Sequence, residues 1–472
     1  MVKARVGLVG LGLDAYWAQF SGLEQRLLGY VKRVEEKVGA CGVEVVNLGM
    51  IDTPQKSMAA GHALRREDVD LLLIHVTTYA LSATVLPMVR RAKAPVILLN
   101  LQPEAAIDYA WFNALGDRTA MTGEWLAYCS ACPVPEIANV FRRAGIWFAQ
   151  VTGLLDGEDE WREIEGWVRA AQVVETMAHN RVGLMGHYYS GMLDIVTDLT
   201  RVCASFGGHF EVLEVDELSA MRGDVSGAET VDRVREFRDE FEVQHDCEEA
   251  ELERAAKTSV ALDAWVARHE LGSLAYYYKG SGVTANEDTM SSIILGTSLL
   301  TGRGIPVAGE YEVKNVLAMK MMDALGAGGS FTEFYGVDLA DDVLLMGHDG
   351  PGHVGIAEGK VKVRPLTVYH GKVGRGLSVE MSVKTGPVTI LSIMEDEGRF
   401  ALQYAEGMVE GGPVLEIGNT NSRFRFGLGA RGFIEAWNLR GPAHHCAAGV
   451  GHVGTKLEKV AALLGLKAVK VC

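Results

Sequence analysis

Four short stretches in the last third of the chain carry carboxylates and imidazoles where turn-forming residues surround them. Glu310 stands in Gly309-Glu310-Tyr311-Glu312-Val313-Lys314, just after a short apolar run at Ile305–Ala308. Glu333 stands in Ser330-Phe331-Thr332-Glu333-Phe334-Tyr335, an apolar setting in which an ionised carboxylate loses solvation unless something pairs with it. His348 lies in Met346-Gly347-His348-Asp349-Gly350-Pro351, and His444 and His445 are adjacent in Gly441-Pro442-Ala443-His444-His445-Cys446. Two carboxylates and two imidazoles suit a borderline divalent cation, with water or substrate oxygens completing six ligands. Imidazole in such a set speaks against Mg²⁺ and for Mn²⁺, Co²⁺ or Fe²⁺. Composition alone also allows each of these residues to be an ordinary, satisfied core group.

Three other motifs carry less. Gly10-x-Gly12-x-x-Ala15 loosely matches the dinucleotide fingerprint, which needs a helix at once and an acid roughly 20 positions on. Here Tyr16–Gly22 intervenes, and the second strand reaches an acid only at Asp52. Read as a loop at the carboxyl end of the first strand, the segment still puts Trp17 and Gln19 where α/β sheets bind ligands. Cys129-x-x-Cys132 lacks a second pair for a zinc site and reads as packing cysteines. Gln244-His245-Asp246-Cys247 falls in a charge-dense tract and reads as a solvated helix face, since adjacent helical residues point apart.

The carboxylate and imidazole segments resemble the L-arabinose isomerase and L-fucose isomerase superfamily, in its arabinose/fucose isomerase-like branch. The resemblance rests on Glu310, Glu312 and Lys314 in Glu-x-[Asp/Glu]-x-Lys, on Ser330 to Tyr335, on the Gly-x-His turn and on Ala443 to His445. It implies a Mn²⁺ site of the arabinose type made by Glu310, Glu333, His348 and the second histidine of the pair, His445. It also implies a homo-oligomer, a hexamer or related ring, in which the first domain of one subunit covers its neighbour's site. Phe334 stands where the family usually has an acid, and the Trp17–Phe20 and His187–Tyr189 segments match it only loosely. The sugar is therefore left open.

Aldose–ketose isomerisation moves one proton between C1 and C2 and another between the two oxygens, so it needs a base and an acid that exchange roles. Glu310 and Glu333 are the expected pair, acting through a cis-enediol, with a divalent metal stabilising the developing charge. Candidates to read the sugar hydroxyls are Trp17, Gln19, Gln102, His187, Tyr188, Tyr278, Lys314 and Trp437. A nicotinamide-dependent sugar oxidoreductase and a non-catalytic sugar-binding protein are the alternatives. No nucleotide cofactor is expected.

Positioning these residues takes several elements. The chain has 472 residues, so more than one core is required. The first third alternates apolar runs with helical patterns, as a parallel sheet demands: strands at Arg5–Gly12, Val43–Ile51, Val69–Thr77, Pro95–Leu101 and Ile146–Thr152. Leu23–Val38 is helical, with Leu23, Leu27, Leu28, Val31 and Val34 on one face, and Glu158–Met177 is a charged helix. The pattern restarts at Arg181–Gly186 and continues with a helix over Met192–Phe206 and a strand over Phe210–Val215. A helical stretch over Ala228–Arg268, a strand at Ser273–Tyr278, a helix near Met290–Leu300, a strand at Ile305–Ala308 and a helix over Val313–Leu325 follow. Then the period becomes two, with strands at Lys360–Val368, Leu377–Val383, Pro387–Ile393 and Phe400–Tyr404 and a last helix at Thr455–Leu464. Of 55 glycines, 29 fall after residue 300, as a turn-rich β domain requires. The fold expected is two successive Rossmann-like or flavodoxin-like domains, 1–178 and 179–326, followed by a β-rich, barrel-like domain, 327–472.

A net charge of −16 without a basic stripe argues against nucleic-acid and anionic-membrane partners. No apolar run approaches the roughly 20 residues of a membrane span, and the amino-terminal run reads as a strand, not a signal peptide. Seven scattered cysteines fit reduced thiols in a cytoplasm.

Overall fold

The computed structural model describes residues 2–367 and 375–472. Two compact units make it up, Met1–Glu175 and Thr176–Cys472. In the first, β1 (Arg5–Leu11), β2 (Glu44–Ile51), β3 (Leu71–Val76), β4 (Val96–Gln102) and β5 (Phe148–Leu154) form a parallel sheet in the order 2-1-3-4-5. That is the flavodoxin-like order. β3 is buried at every position because helices cover both faces of its apolar run. The helix Leu23–Ala40 buries Leu23, Leu27, Tyr30, Val31, Val34 and Val38, while Leu28 is turned to solvent.

The second unit opens with β6 (Arg181–Gly186) and β7 (His209–Leu213). A two-residue strand, β8 (Glu242–Val243), precedes β9 (Ser273–Tyr277) and β10 (Val307–Ala308). Strands 7-6-9-10 form a second parallel sheet, which repeats the order of the first. β11 (Ser330–Asp338), β12 (Val343–Gly347), β13 (Lys362–Pro365), β14 (Leu377–Glu380), β15 (Gly386–Asp396), β16 (Arg399–Glu410), β17 (Ser422–Phe426), β18 (Cys446–Val450) and β19 (Lys467–Lys470) follow. Strands 15-18-11-12-17-16 pair antiparallel and close through β15–β16 into a barrel, with β19 added parallel to β16. β14-β13-β8 make a small separate sheet. The chain is thus parallel-sheet α/β followed by a closed antiparallel β-barrel.

Three expectations about elements change. The helix expected over Met192–Phe206 spans only Leu199–Phe206, where Asp198 caps it by accepting from the amides of Thr200 and Arg201. The charged tract is two helices, Gly227–Glu240 and Glu249–Arg268, and Gln244–Cys247 form the turn between them. The strand expected over Lys360–Val368 is Lys362–Pro365, and Val368 lies outside the described residues. β11, β12, β17 and β18, along with the helix Gly429–Asn438, are additional elements.

Candidate functional site

Strand register gathers three of the predicted ligands. In β11, Thr332 lies opposite Cys446 of β18 and Glu333 opposite Gly347 of β12. His348 follows Gly347 and His445 precedes Cys446, so both imidazoles leave the barrel rim beside the Glu333 position. Gly347 is required there, since a Cβ would lie 1.8 Å from the Thr420 carbonyl. Thr420 Oγ1 clamps the neighbouring His348 backbone, accepting from its amide at 2.7 Å and donating to its carbonyl at 3.0 Å.

Glu310 arrives from the carboxyl end of β10. Its φ is +57° and that of Tyr311 +63°, two successive side-chain-bearing residues in the left-handed region. Such residues cost of order 1–3 kcal/mol each and persist where the surrounding structure holds them, often at functional sites. Tyr189 and Tyr311 fasten the turn, their amides donating to the carbonyls of Glu310 and Tyr276.

The side chains converge. Glu310 Oε2 is 3.2 Å from His445 Nε2 and 3.7 Å from His444 Nε2, and Glu310 Oε1 is 3.9 Å from His348 Nε2. Among the described residues, two groups place ligand atoms within 4.8 Å of one another: Glu310, His444 and His445, and Glu333, His348 and His445. The outer ring nitrogens are occupied. His348 Nδ1 donates to the Asp349 carbonyl at 3.0 Å, and His445 Nδ1 meets Glu312 Oε2 at 3.5 Å. Each Nε2 is left with its lone pair facing inward. Phe331, fully buried, packs its ring against both imidazoles, 4.1 Å and 4.5 Å between centroids.

Burial pushes the His348 imidazole down to about 3, helped by His445 beside it, so it is a neutral donor at neutral pH. Burial alone would raise the Glu310 carboxyl, but His444 and His445 outweigh it and hold the group well below the usual carboxylate range. For His444, desolvation is outweighed by Glu310 and Asp194, and its imidazole rises to about 9. Glu310 Oε2 and His445 Nε2 are buried, and neither has a hydrogen bond. Orphaned acceptor atoms turned toward one another are what a bound divalent cation would satisfy, so the residues fit such an ion.

The donors open onto a cavity of about 480 Å³, lined by Glu310, Glu333, His348 and His444 on its polar side. Tyr189, Tyr276, Tyr277, Tyr278, Met192 and Met290 form much of the rest. Burial pushes the Tyr277 phenol up to about 12, so it remains a neutral hydroxyl.

The expected sugar-reading residues are scattered. Tyr278 lines the cavity, its hydroxyl 2.7 Å from that of Ser281. Tyr188 packs its ring on Tyr311, and the next residue, Tyr189, lines the cavity instead. His187 is exposed, edge-on to the Tyr277 ring. Lys314 is buried and donates to the Asp194 carbonyl. Trp437 is buried among Phe334 and Phe433 in the barrel core and is absent from the cavity lining. Trp17, Gln19 and Gln102 belong to the first unit. Trp17 donates to Asp52 at 2.8 Å and rests its ring on Gly12, so the glycine and acid of the dinucleotide-like loop are both engaged by this indole. Gln19 donates to the Ala15 carbonyl, and Gln102 to Ser130. Cys129 is buried and Cys132 exposed in the turn before the helix Val134–Arg143.

Glu312, Asp194 and Phe331 are site residues that motif reading did not assign. Glu312 sat inside a noted motif, two positions from Glu310. Asp194 carries no local signal, as it meets His444 across 250 residues of chain.

No protein-family model matches the chain. The chain is 24% identical over 404 residues to the L-arabinose isomerase of Nocardioides sp. (strain ATCC BAA-499 / JS614), a stretch that is 80% of this chain and 76% of that protein. The protein is thus a distant relative of an L-arabinose isomerase.

Proposed function

We propose that the protein is a metal-dependent aldose–ketose isomerase acting on an open-chain sugar of the L-arabinose or L-fucose kind. The observation that carries this reading is the convergence of Glu310, Glu333, His348 and His445, with Glu310 Oε2 and His445 Nε2 orphaned, beside a sugar-sized cavity that the first three line. The distant L-arabinose isomerase relative supports it.

In this reading Glu310, Glu333, His348 and His445 hold the cation, Mn²⁺ in preference to Co²⁺ or Fe²⁺. When bound, it supplies Lewis-acid stabilisation of the charge that develops on the sugar oxygens. Glu310 and Glu333 exchange protons with the substrate through a cis-enediol: one carboxylate takes the carbon-bound proton and returns it to the neighbouring carbon, and the other serves the oxygens. Tyr278 is retained as a sugar contact, with Tyr189 and Tyr277 added. The roles proposed for Trp17, Gln19 and Gln102 are those of a first domain that serves a neighbouring subunit in a homo-oligomer, such as a hexamer, in the cytoplasm. The division into 1–178, 179–326 and 327–472 would then separate that covering domain from the one bearing Glu310 and from the barrel bearing the other ligands.

The test is elemental analysis of the purified protein, then a panel of aldoses with Mn²⁺ and ketose detection. Stoichiometric transition metal and chelator-sensitive ketose formation are expected, and Glu333→Gln should lower turnover by roughly 10²-fold or more. Saturable sugar binding with no ketose formed would identify a binding protein and overturn the reading.

A further inference from the structure

The loop between β6 and the helix Leu199–Phe206 is tied to the site from both sides. Beyond the Tyr189 amide bond to the Glu310 carbonyl, Lys314 Nζ donates to the Asp194 carbonyl. Asp194 Oδ2 in turn accepts two hydrogen bonds from one residue: the His444 amide at 3.0 Å and His444 Nδ1 at 2.6 Å. One carboxylate oxygen therefore fixes both the backbone and the ring of His444. A carboxylate only accepts, so Nδ1 carries a proton, and Nε2 is the ring nitrogen left for the cavity side. Nε2 then faces Glu310 Oε2 at 3.7 Å. That gap is too long for a direct hydrogen bond and leaves a shared approach to a sugar oxygen in the cavity both residues line.

We infer that Asp194 is a positioning residue: it turns His444 so that Nε2 addresses the substrate oxygen that Glu310 also addresses. The inference rests on the isomerase reading and adds to it a residue outside the metal-binding set. It also explains why Lys314 is buried away from the cavity, since its ammonium holds the loop that carries Asp194. An imidazole oriented by a third group across the ring is a recurring arrangement wherever one nitrogen must be presented to a substrate.

The test compares Mn²⁺-loaded wild type with Asp194→Ala, Asp194→Asn and, as a control on the same loop, Asp198→Asn. Asp194→Ala should lose roughly 10–100-fold in kcat, while KM and the Kd for Mn²⁺ stay within about threefold. Asp194→Asn, which keeps an acceptor for both N–H groups, should recover part of the loss, and Asp198→Asn should stay within about twofold of wild type. Turnover of Asp194→Ala within about threefold of wild type, or an equal loss in the control, overturns the inference. So does a loss that follows weakened Mn²⁺ binding, which would make Asp194 a support of the metal and not of the substrate. Carbethoxylation of His444, read by peptide mass spectrometry against His187, provides a measure without turnover. Freeing Nδ1 should speed it severalfold, and an unchanged rate overturns the inference. If wild type converts no aldose, the isomerase reading fails by itself, and the carbethoxylation result still decides whether Asp194 positions His444.

Discussion

Glu312 offers the sharpest test of how the site is held. Its carboxylate is fully buried and lies 3.5 Å from Nδ1 of a His445 ring that is equally buried. At an effective dielectric of about 20, full unit charges at that separation would interact by about 5 kcal/mol. A neutral ligand imidazole carries only the fraction of positive charge that a bound cation passes to it, so the differential effect on metal binding is smaller. Loss of such outer carboxylates typically costs 10–100-fold in affinity, about 1.4–2.7 kcal/mol. Glu312→Gln keeps an oxygen that accepts from Nδ1–H and removes the charge, whereas Glu312→Ala also strands the buried N–H. The expected order of Mn²⁺ affinity is wild type, then Gln, then Ala, with Gln weaker than wild type by roughly 10-fold or more. Chelator competition or titration calorimetry at constant pH measures it, with circular dichroism confirming the fold. A Kd for Glu312→Gln within about threefold of wild type would refute the claim that this carboxylate tunes His445.

Other outcomes follow from burial. His75 is fully buried in β3, neither ring nitrogen has a hydrogen bond, and burial pushes its pKa from 6.5 down to about 4. The unfolded chain therefore takes up the proton first as pH falls: stability is intact above about 6.5 and declines by up to about 3 kcal/mol toward pH 4. Urea melts across that window should show this limb flattened in His75→Leu, and an unchanged slope would assign the acid sensitivity elsewhere. Gly347→Ala, whose Cβ would meet the Thr420 carbonyl at 1.8 Å, should destabilise by more than about 2 kcal/mol and weaken Mn²⁺ binding through His348. A melting temperature equal to wild type would contradict the packing described. Trp437→Phe should lower stability by about 1–3 kcal/mol and leave KM within about twofold. A large KM change would return Trp437 to the substrate.

Local pattern revealed much of the fold. The inner strands of the first sheet, β1, β3 and β4, are apolar runs buried on both faces, and the pattern restart at Arg181 marks a second sheet that repeats the order of the first. The barrel strands that carry Glu333, His348 and His445 were the ones local pattern missed. β18 is Cys-Ala-Ala-Gly-Val, with little strand propensity of its own, and pairing with β11 and β15 holds it extended. The first seven residues of the helix expected over Met192–Phe206 belong to the loop at 187–198. Tertiary hydrogen bonds to Glu310, Lys314 and His444 hold it open instead.

Residue types nominated two carboxylates and the imidazoles of the last third as one chemical set, because carboxylate and imidazole chemistry is a property of the side chains themselves, and the family resemblance singled out Glu310, Glu333, His348 and His445 among them. Tertiary structure alone decided which ring nitrogen of each histidine faces inward, that Glu312 backs His445, that Asp194 grips His444, and that Trp437 and Lys314 are buried outside the cavity lining. Those facts depend on barrel register and on contacts between segments up to 250 residues apart. Local sequence carries no record of such distances, because a side chain's orientation is set by the packing around it.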